Sequence, residues 1–269
     1  MPLAYYSRAA TAEFWSEHWG SHSVATLLDV ARHSPLTTII ERHLPPRGLV
    51  LEAGCGLGQY VLLLRERGHA AVGADWSLDA LREGGRAGAP LAAMDLRALA
   101  VRGSAAAAYL SLGVVEHDPD GPDAIVAEAA RVLAPGGVLL LSVPYWNGVR
   151  RLSAPWLERD ARRTRAGGGQ FYQFAFTRAE VRRFVEAAGF QVRAFHPYDP
   201  ARILRGVLRR VRRAPAAAAA PAGVSAAPRT GGARGWLRAA LYSPPALRLL
   251  GHMILAIAVK PGARSRLLY

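Results

Sequence analysis

The chain has 269 residues, 51% hydrophobic and 20% charged, which suits one sizeable globular core and excludes fibrous or disordered classes. Its one cysteine, Cys55, excludes an internal disulfide and a cysteine-clustered zinc site, so a reducing cytoplasm is expected. The net charge of +14 is all in one half: residues 1–147 hold 11 Arg and 15 acidic residues (−4), residues 148–269 hold 22 Arg, one Lys and 5 acidic residues (+18).

In chain order, residues 4–45 read as helical, with an aromatic "AEFWSEHW" followed by "VATLLDVARH" and "PLTTIIERHL". The opening stretch has no apolar core of signal-peptide length behind a basic end. "RGLVLEAG" is a short apolar run ending at glycine, a buried strand. "GQYVLLLRERG" has helical spacing and closes on Gly68, "HAAVGADW" is the next strand, and Ser77 caps a helix over "SLDALREGGR". "APLAAMDL" and "AAAAYLSLG" read as the third and fourth strands, "PDAIVAEAARVLAPGG" as a helix stopped by Pro-Gly-Gly, and "GVLLLSVP" as the fifth strand. Strands alternating with helices imply a parallel sheet covered on both faces. After Pro144 the rhythm changes. Residues 145–174 look like an insertion with an Arg-rich helix and a flexible "GGG". "TRAEVRRFVEAAGF" is a capped helix, and "FQVRAFHP" and "MILAIAVKP" are the last two strands. Between those strands, residues 214–235 contain 10 Ala, 3 Pro and 4 Gly and read as a linker too poor in bulky side chains to pack. The most apolar stretch, Leu249–Val259, is about half of the ~20 residues that span a bilayer.

The stretch "LVLEAGCGLGQYVLLLRERGHAAVGADWS" carries the chemistry. Its glycines, Gly54, Gly56 and Gly58, let the chain turn sharply and a ligand approach closely. A nicotinamide loop usually reads G-x-G-x-x-G; here the order is G-x-G-x-G and Gln59 stands where the later glycine would fall. Glu52 precedes the loop, a poor neighbour for a pyrophosphate and a good one for a cation. Asp75 ends the second strand, 21 residues after Gly54, where a carboxylate can accept from both hydroxyls of a ribose.

Together, "VLEAGCGLGQY", "GADWS", "MDL", "SLGVVEH" and "ARVLAPGGVLLLSVP" resemble successive motifs of class I S-adenosylmethionine-dependent methyltransferases, in particular those acting on small molecules and lipids. The resemblance covers about residues 45–197 and resumes in the last strand. It implies a Rossmann-like α/β fold, a seven-stranded sheet whose last strand is antiparallel, with helices on both faces. It implies S-adenosylmethionine as cofactor, with Glu52 near its methionine end and Gly54, Cys55, Gly56 and Gly58 in the loop against it. Asp75 would hold the ribose, Trp76 lie along the adenine, Asp95 accept from the exocyclic amine and Leu112 line the pocket through its backbone. The acidic residue that commonly opens the fourth strand in this family is missing from "AAAAYLSLG".

The expected organisation is an N-terminal helical lid (1–45), a cofactor-binding core (46–197) with its insertion at 145–174, a basic amphipathic insertion (198–248), and a final strand and tail (249–269). Tyr5, Tyr6, Trp15, His18 and Trp19 either fold over the cofactor or make ordinary helix contacts. His117, just past the fourth strand, has an intrinsic pKa that suits a general base, or it caps the next helix. Cys55 lies inside the loop, which disfavours a nucleophile role.

For the acceptor, no "NPPY"-like tetrapeptide follows the fourth strand and no second cysteine exists, which disfavours methylation of nucleic-acid bases but not of ribose. In "ARILRGVLRRVRRA" the apolar residues Ile203, Leu204, Val207, Leu208 and Val211 share one face of a helix and the arginines the other. Such a helix packs on its own domain, lies on an anionic membrane through residues 201–213, or contacts nucleic acid; the last lacks interleaved aromatics. The expectation is an O-methyltransferase for a small-molecule or lipid-attached acceptor, cytoplasmic or peripheral at the inner face of the membrane. The alternatives are a ribose-directed RNA methyltransferase and a non-catalytic cofactor-binding protein. No metal site is expected.

Overall fold

The computed structural model describes residues 2–204, 236 and 239–262. Beyond an N-terminal strand β1 (Leu3–Ser7), the strands are β2 (Leu49–Ala53), β3 (Ala70–Asp75), β4 (Leu91–Ala93), β5 (Ala106–Leu112), β6 (Leu133–Pro144), β7 (Gln170–Ala175), β8 (Gln191–Tyr198) and β9 (Met253–Val259). Seven of them form one sheet in the order β4-β3-β2-β5-β6-β9-β8, with β9 antiparallel to both of its neighbours. The expected Rossmann-like sheet with an antiparallel last strand is therefore present. The chain runs outward from β2 to β4, then returns to β5 on the other side of β2. The carboxyl ends of β2 and β5 meet at that reversal, and open α/β sheets bind ligands in such crevices.

Period-two alternation divides each strand between two cores. On β2, Leu51 and Ala53 join a cluster with Ile125 and Val126 of α6 (Asp123–Val132) and Val181 and Phe184 of α9 (Arg178–Ala187). Val50 joins the opposite cluster, with Ile40 of α3 (Pro35–His43) and Val61 and Leu64 of α4 (Gln59–Glu66). Each fully buried Leu or Ile contributes roughly 1.5–3 kcal/mol. The same alternation puts Glu52 on the Val50 side, beneath α2 (Val24–Arg32) and α3, where no helix residue answers its charge. Helix starts are set locally. Ser23, Ser34, Ser77 and Thr177 each accept a backbone N–H from the first turn they precede, and Thr177 and Glu180 complete a capping box.

The structure departs from the sequence expectation in three places. Residues 4–45 are not wholly helical: β1 precedes α1 (Ala12–Gly20) and pairs antiparallel with β7, from Leu3 opposite Ala175 to Ser7 opposite Gln170. The segment 145–174 is accordingly more than a helical insertion. After α7 (Gly148–Leu152) and α8 (Ala154–Ala166) it turns at Gly167–Gly169 into β7, whose partner lies more than 160 residues away in sequence and is invisible to local pattern. Finally, "LAPGG" does not extend the preceding helix. α6 ends at Val132, Leu133 pairs with Ala106, and residues 134–137 are taken up before Val138 pairs with Ala108. The expected linker 214–235 and residues 205–213 of the amphipathic stretch lie outside the described residues; residues 200–204 are helical. No described helix is long and apolar enough to cross a membrane.

Candidate functional site

The loop between β2 and α4 holds all three expected glycines at positive φ: 78° at Gly54, 53° at Gly56 and 73° at Gly58. A Cβ on Gly56 would sit 2.5 Å from the Trp19 ring, so at this position the loop requires both left-handed backbone and the absence of a side chain. The loop's N–H groups are spent on the protein. Those of Gly54 and Cys55 donate to Ala74 O, that of Gly56 donates to Asp75 Oδ2 at 2.8 Å, and that of Gly58 donates to Cys55 O. Little is left to cradle a phosphate, which agrees with the unusual glycine spacing. The Cys55 thiol is buried beside Gly73, and burial drives its pKa well up, so it cannot serve as a thiolate.

Glu52 is 3% exposed, and its Oε2 has no hydrogen-bond partner. Desolvation lifts its pKa to about 8 against a partial offset from the Val61 backbone, and Asp75 adds repulsion. It lines a cavity with Gly54, Cys55, Gln59 and Leu112 on the sheet side and Trp15, His18 and Trp19 on the α1 side. Gln59 Oε1 and His18 Nε2 are likewise buried without partners. An orphaned carboxylate and orphaned amide and imidazole groups around one cavity fit a small zwitterionic, cationic ligand, as the methionine end of S-adenosylmethionine is. Among the described residues no cluster of metal-ligating side chains occurs.

A second cleft adjoins it, lined by Gly54, Asp75, Trp76, Asp95, Leu96, Arg97, Gly113 and Val114, again under Trp15 and Trp19. Asp75 is 6% exposed; its Oδ1 accepts from Ser77 N at 2.9 Å as its Oδ2 does from Gly56 N. Burial raises its pKa against those N–H donors, and each oxygen keeps a lone pair for a hydroxyl. Trp76, half exposed, forms part of the wall. Asp95 stands at the mouth in a bidentate pair with Arg97, at 2.9 and 3.1 Å, which holds its pKa below the usual range. Any adenine amine would share Asp95 with that guanidinium. Leu112 borders the Glu52 cavity rather than this cleft.

His117 lines both spaces. It follows β5 in a short 3-10 turn (Val115–His117), and its Nδ1–H donates to Tyr172 O at 2.8 Å. Its lone pair is therefore on Nε2. Burial lowers its pKa to about 4, so the ring is neutral at pH 7. Trp15 and Tyr172 pack edge-on against it, with ring centroids 4.9 and 5.0 Å away. Of the aromatic residues near the N-terminus, Trp15, His18 and Trp19 border the cavities, whereas Tyr5 and Tyr6 lie on β1. Sequence reasoning missed Tyr172, Arg202 and His252, which also line the Glu52 cavity. The aromatic alternation of "QFYQFA" was the available sign of a strand at Tyr172; the sequence marks Arg202 only as part of the basic face of residues 201–213, and nothing local marks His252.

A family model described as a methyltransferase domain matches residues 29–194. The malonyl-[acyl-carrier protein] O-methyltransferase of Serratia marcescens is 30% identical over 160 residues, 58% of this chain and 61% of that protein. The chain thus spans about three fifths of the length of the curated relative it matches. Among solved structures, a chain from the complex between the Haloferax volcanii Trm112 methyltransferase activator and a methyltransferase superposes with a TM-score of 0.59 at 16% identity, covering 92% of this chain and 97% of that one. Geranyl diphosphate C-methyltransferase from Streptomyces coelicolor A3(2), solved with Mg2+, geranyl diphosphate and S-adenosyl-L-homocysteine, gives 0.56 at 15% identity, covering 96% and 90%. At these identities the solved structures establish the fold alone.

Asp75→Ala removes the acceptor in the second cleft and releases the Gly56 and Ser77 N–H groups. Titration calorimetry with S-adenosyl-L-homocysteine is expected to show affinity reduced by about tenfold or more. An unchanged affinity would take Asp75 out of the binding site.

Proposed function

The chain belongs to the methyltransferase-domain family and is a class I S-adenosylmethionine-dependent methyltransferase; from that premise we propose that it methylates an oxygen of a small-molecule or lipid-attached acceptor. The observation that carries this reading is a single cavity lined by both Glu52 and His117. A site for a cationic donor and a neutral imidazole with a free Nε2 therefore share one space. When bound, S-adenosylmethionine supplies an electrophilic methyl on a positively charged sulfur, so the protein's task is to hold donor and acceptor in line and to take up a proton.

Glu52, the glycine loop and Asp75 would fix the donor. Trp15 and Trp19, above both spaces, would exclude water. The Tyr172 carbonyl holds His117 Nδ1–H, leaving Nε2 to accept the proton of the acceptor's O–H. A base whose pKa lies near 4 is weak, and suits an acidic O–H better than an alcohol. The similarity to an O-methyltransferase whose named substrate rides on an acyl carrier supports an acceptor outside nucleic acid. "SLGV" at the end of β5, in place of a base-methylating tetrapeptide, supports the same conclusion. Incubation with methyl-labelled cofactor and fractionated cell extract should place label in a base-labile ester or ether in the small-molecule or lipid fraction. Label in RNA would overturn the reading. His117→Ala should lower kcat by about 100-fold with cofactor affinity little changed. In the wild type, activity at saturating cofactor should stay flat through neutral pH and fall only as pH drops toward about 4, where the imidazole takes a proton. A limb near the ordinary histidine value of 6.5 would contradict the assignment.

A peripheral contact with an anionic membrane is supported by one surface. Leu152 is 82% exposed, Trp156 49% and Leu249 44%, and α8, which bears Trp156, carries four arginines. Flotation with anionic vesicles should recover the wild type and lose most of it in a Leu152→Ser, Trp156→Ser double variant. Equal recovery would remove the membrane contact.

A further inference from the structure

The cavity that holds Glu52 and His117 also has a cationic region that nothing above uses. His252, the residue before β9, and Arg202, just after β8, both line it. Behind His252 lies Arg150 of α7, buried at 8% exposure. Its Nη1 donates to the carbonyls of Tyr145 (2.5 Å) and His252 (2.9 Å), and its Nη2 approaches His252 Nδ1 at 3.0 Å. A guanidinium has donors only, so His252 Nδ1 must accept. The ring proton is then on Nε2, and no described residue accepts from it.

Two of the three histidines lining this cavity, His117 and His252, are thus fixed as opposite tautomers by their outer partners. Tyr172 O takes the Nδ1–H of His117, leaving an acceptor; Arg150 fills Nδ1 of His252, leaving a donor. The charges are separated in the same way. Asp75 is the charge that acts on Glu52, whereas Arg150 and Arg202 act on His252, and Arg202 also reaches His18 and Tyr172. Burial and those guanidiniums keep His252 neutral. Among the residues described as lining the cavity, Glu52 is the sole acid. No ion pair of Arg150 occurs among the described residues.

We propose that His252 Nε2–H and Arg202 form a subsite for an anionic group of the methyl acceptor, a carboxylate or a phosphate, and that Arg150 is the positioning residue that fixes His252 as a donor. This rests on the methyltransferase reading above and specifies its substrate class. The subsite binds a handle rather than activating a nucleophile, since an oxyanion held by an N–H donor and a guanidinium is a poor attacking group. The oxygen that receives the methyl would lie toward His117.

The test is titration calorimetry on protein saturated with S-adenosyl-L-homocysteine, with malonate and inorganic phosphate as separate probes. The wild type should bind one of them, and His252→Leu and Arg202→Met should each weaken that binding about tenfold or more while homocysteine-cofactor affinity stays unchanged. Preference for malonate marks a carboxylate handle and preference for phosphate a phosphorylated one. Should His252→Leu fail to bind the cofactor product, Arg202→Met, in the helical residues after β8, decides alone. Loaded wild type that binds neither anion, or variants that bind as well as wild type, would overturn the subsite. Wild type that binds no S-adenosyl-L-homocysteine would instead remove the cofactor reading on which it rests.

Discussion

One carboxylate is buried without an adequate partner at the point where the central strand meets the glycine loop, and the site is organised around it. Alternation along β2 sends Glu52 to the face beneath α2 and α3, where only the Val61 backbone offsets its charge and its Oε2 has no partner among the described residues. An isolated buried carboxylate avoids the cost of desolvation by holding its proton, which is the meaning of a pKa near 8. Because the folded protein binds that proton more tightly than the unfolded chain, Glu52 costs nothing in acid. It becomes destabilising as pH rises from the ordinary carboxylate range through about 8. A cation bound beside it reverses the balance. The protein thus carries a local instability that a cation bound in this cavity would relieve.

The rest of the fold places other groups around that carboxylate. The reversal of strand order brings the ends of β2 and β5 together, so Gly54 and Gly113 edge both the Glu52 cavity and the neighbouring cleft. β7, paired with β1 rather than with the main sheet, delivers the Tyr172 carbonyl to His117. β9 enters antiparallel between β6 and β8, so its first residues lie at the same rim as the ends of the parallel strands, and His252 arrives there. Four remote segments therefore meet at one rim, each held by backbone pairing.

Much of this was legible in the sequence because it is local. Glycine spacing, Glu52 before it and Asp75 after it belong to one β-α-β unit, and the structure gathers them around two adjoining spaces. The strands of the main sheet were equally readable from apolar runs and turn residues, whereas the antiparallel direction of the last one was implied by the family resemblance alone. What could not be read depends on partners distant in sequence. β1 is a strand only because residues 170–175 pair with it, and Leu133 leaves the helix because Ala106 holds it. His252 looks like a loop residue until Arg150, 102 positions earlier, fixes its tautomer. Asp95 shows the reverse case: its position was legible, but its pairing with Arg97 two residues on was not, since the two turn toward each other only in the folded loop.

The central claim is that Glu52 is protonated in the cofactor-free protein and ionised against a bound cation. The most direct measurement is calorimetric titration of S-adenosylmethionine at pH 7 in two buffers of different ionisation enthalpy. The expected result is release of close to one proton per cofactor bound, abolished in Glu52→Gln. Binding with no proton released by the wild type, or with release undiminished in Glu52→Gln, would contradict it.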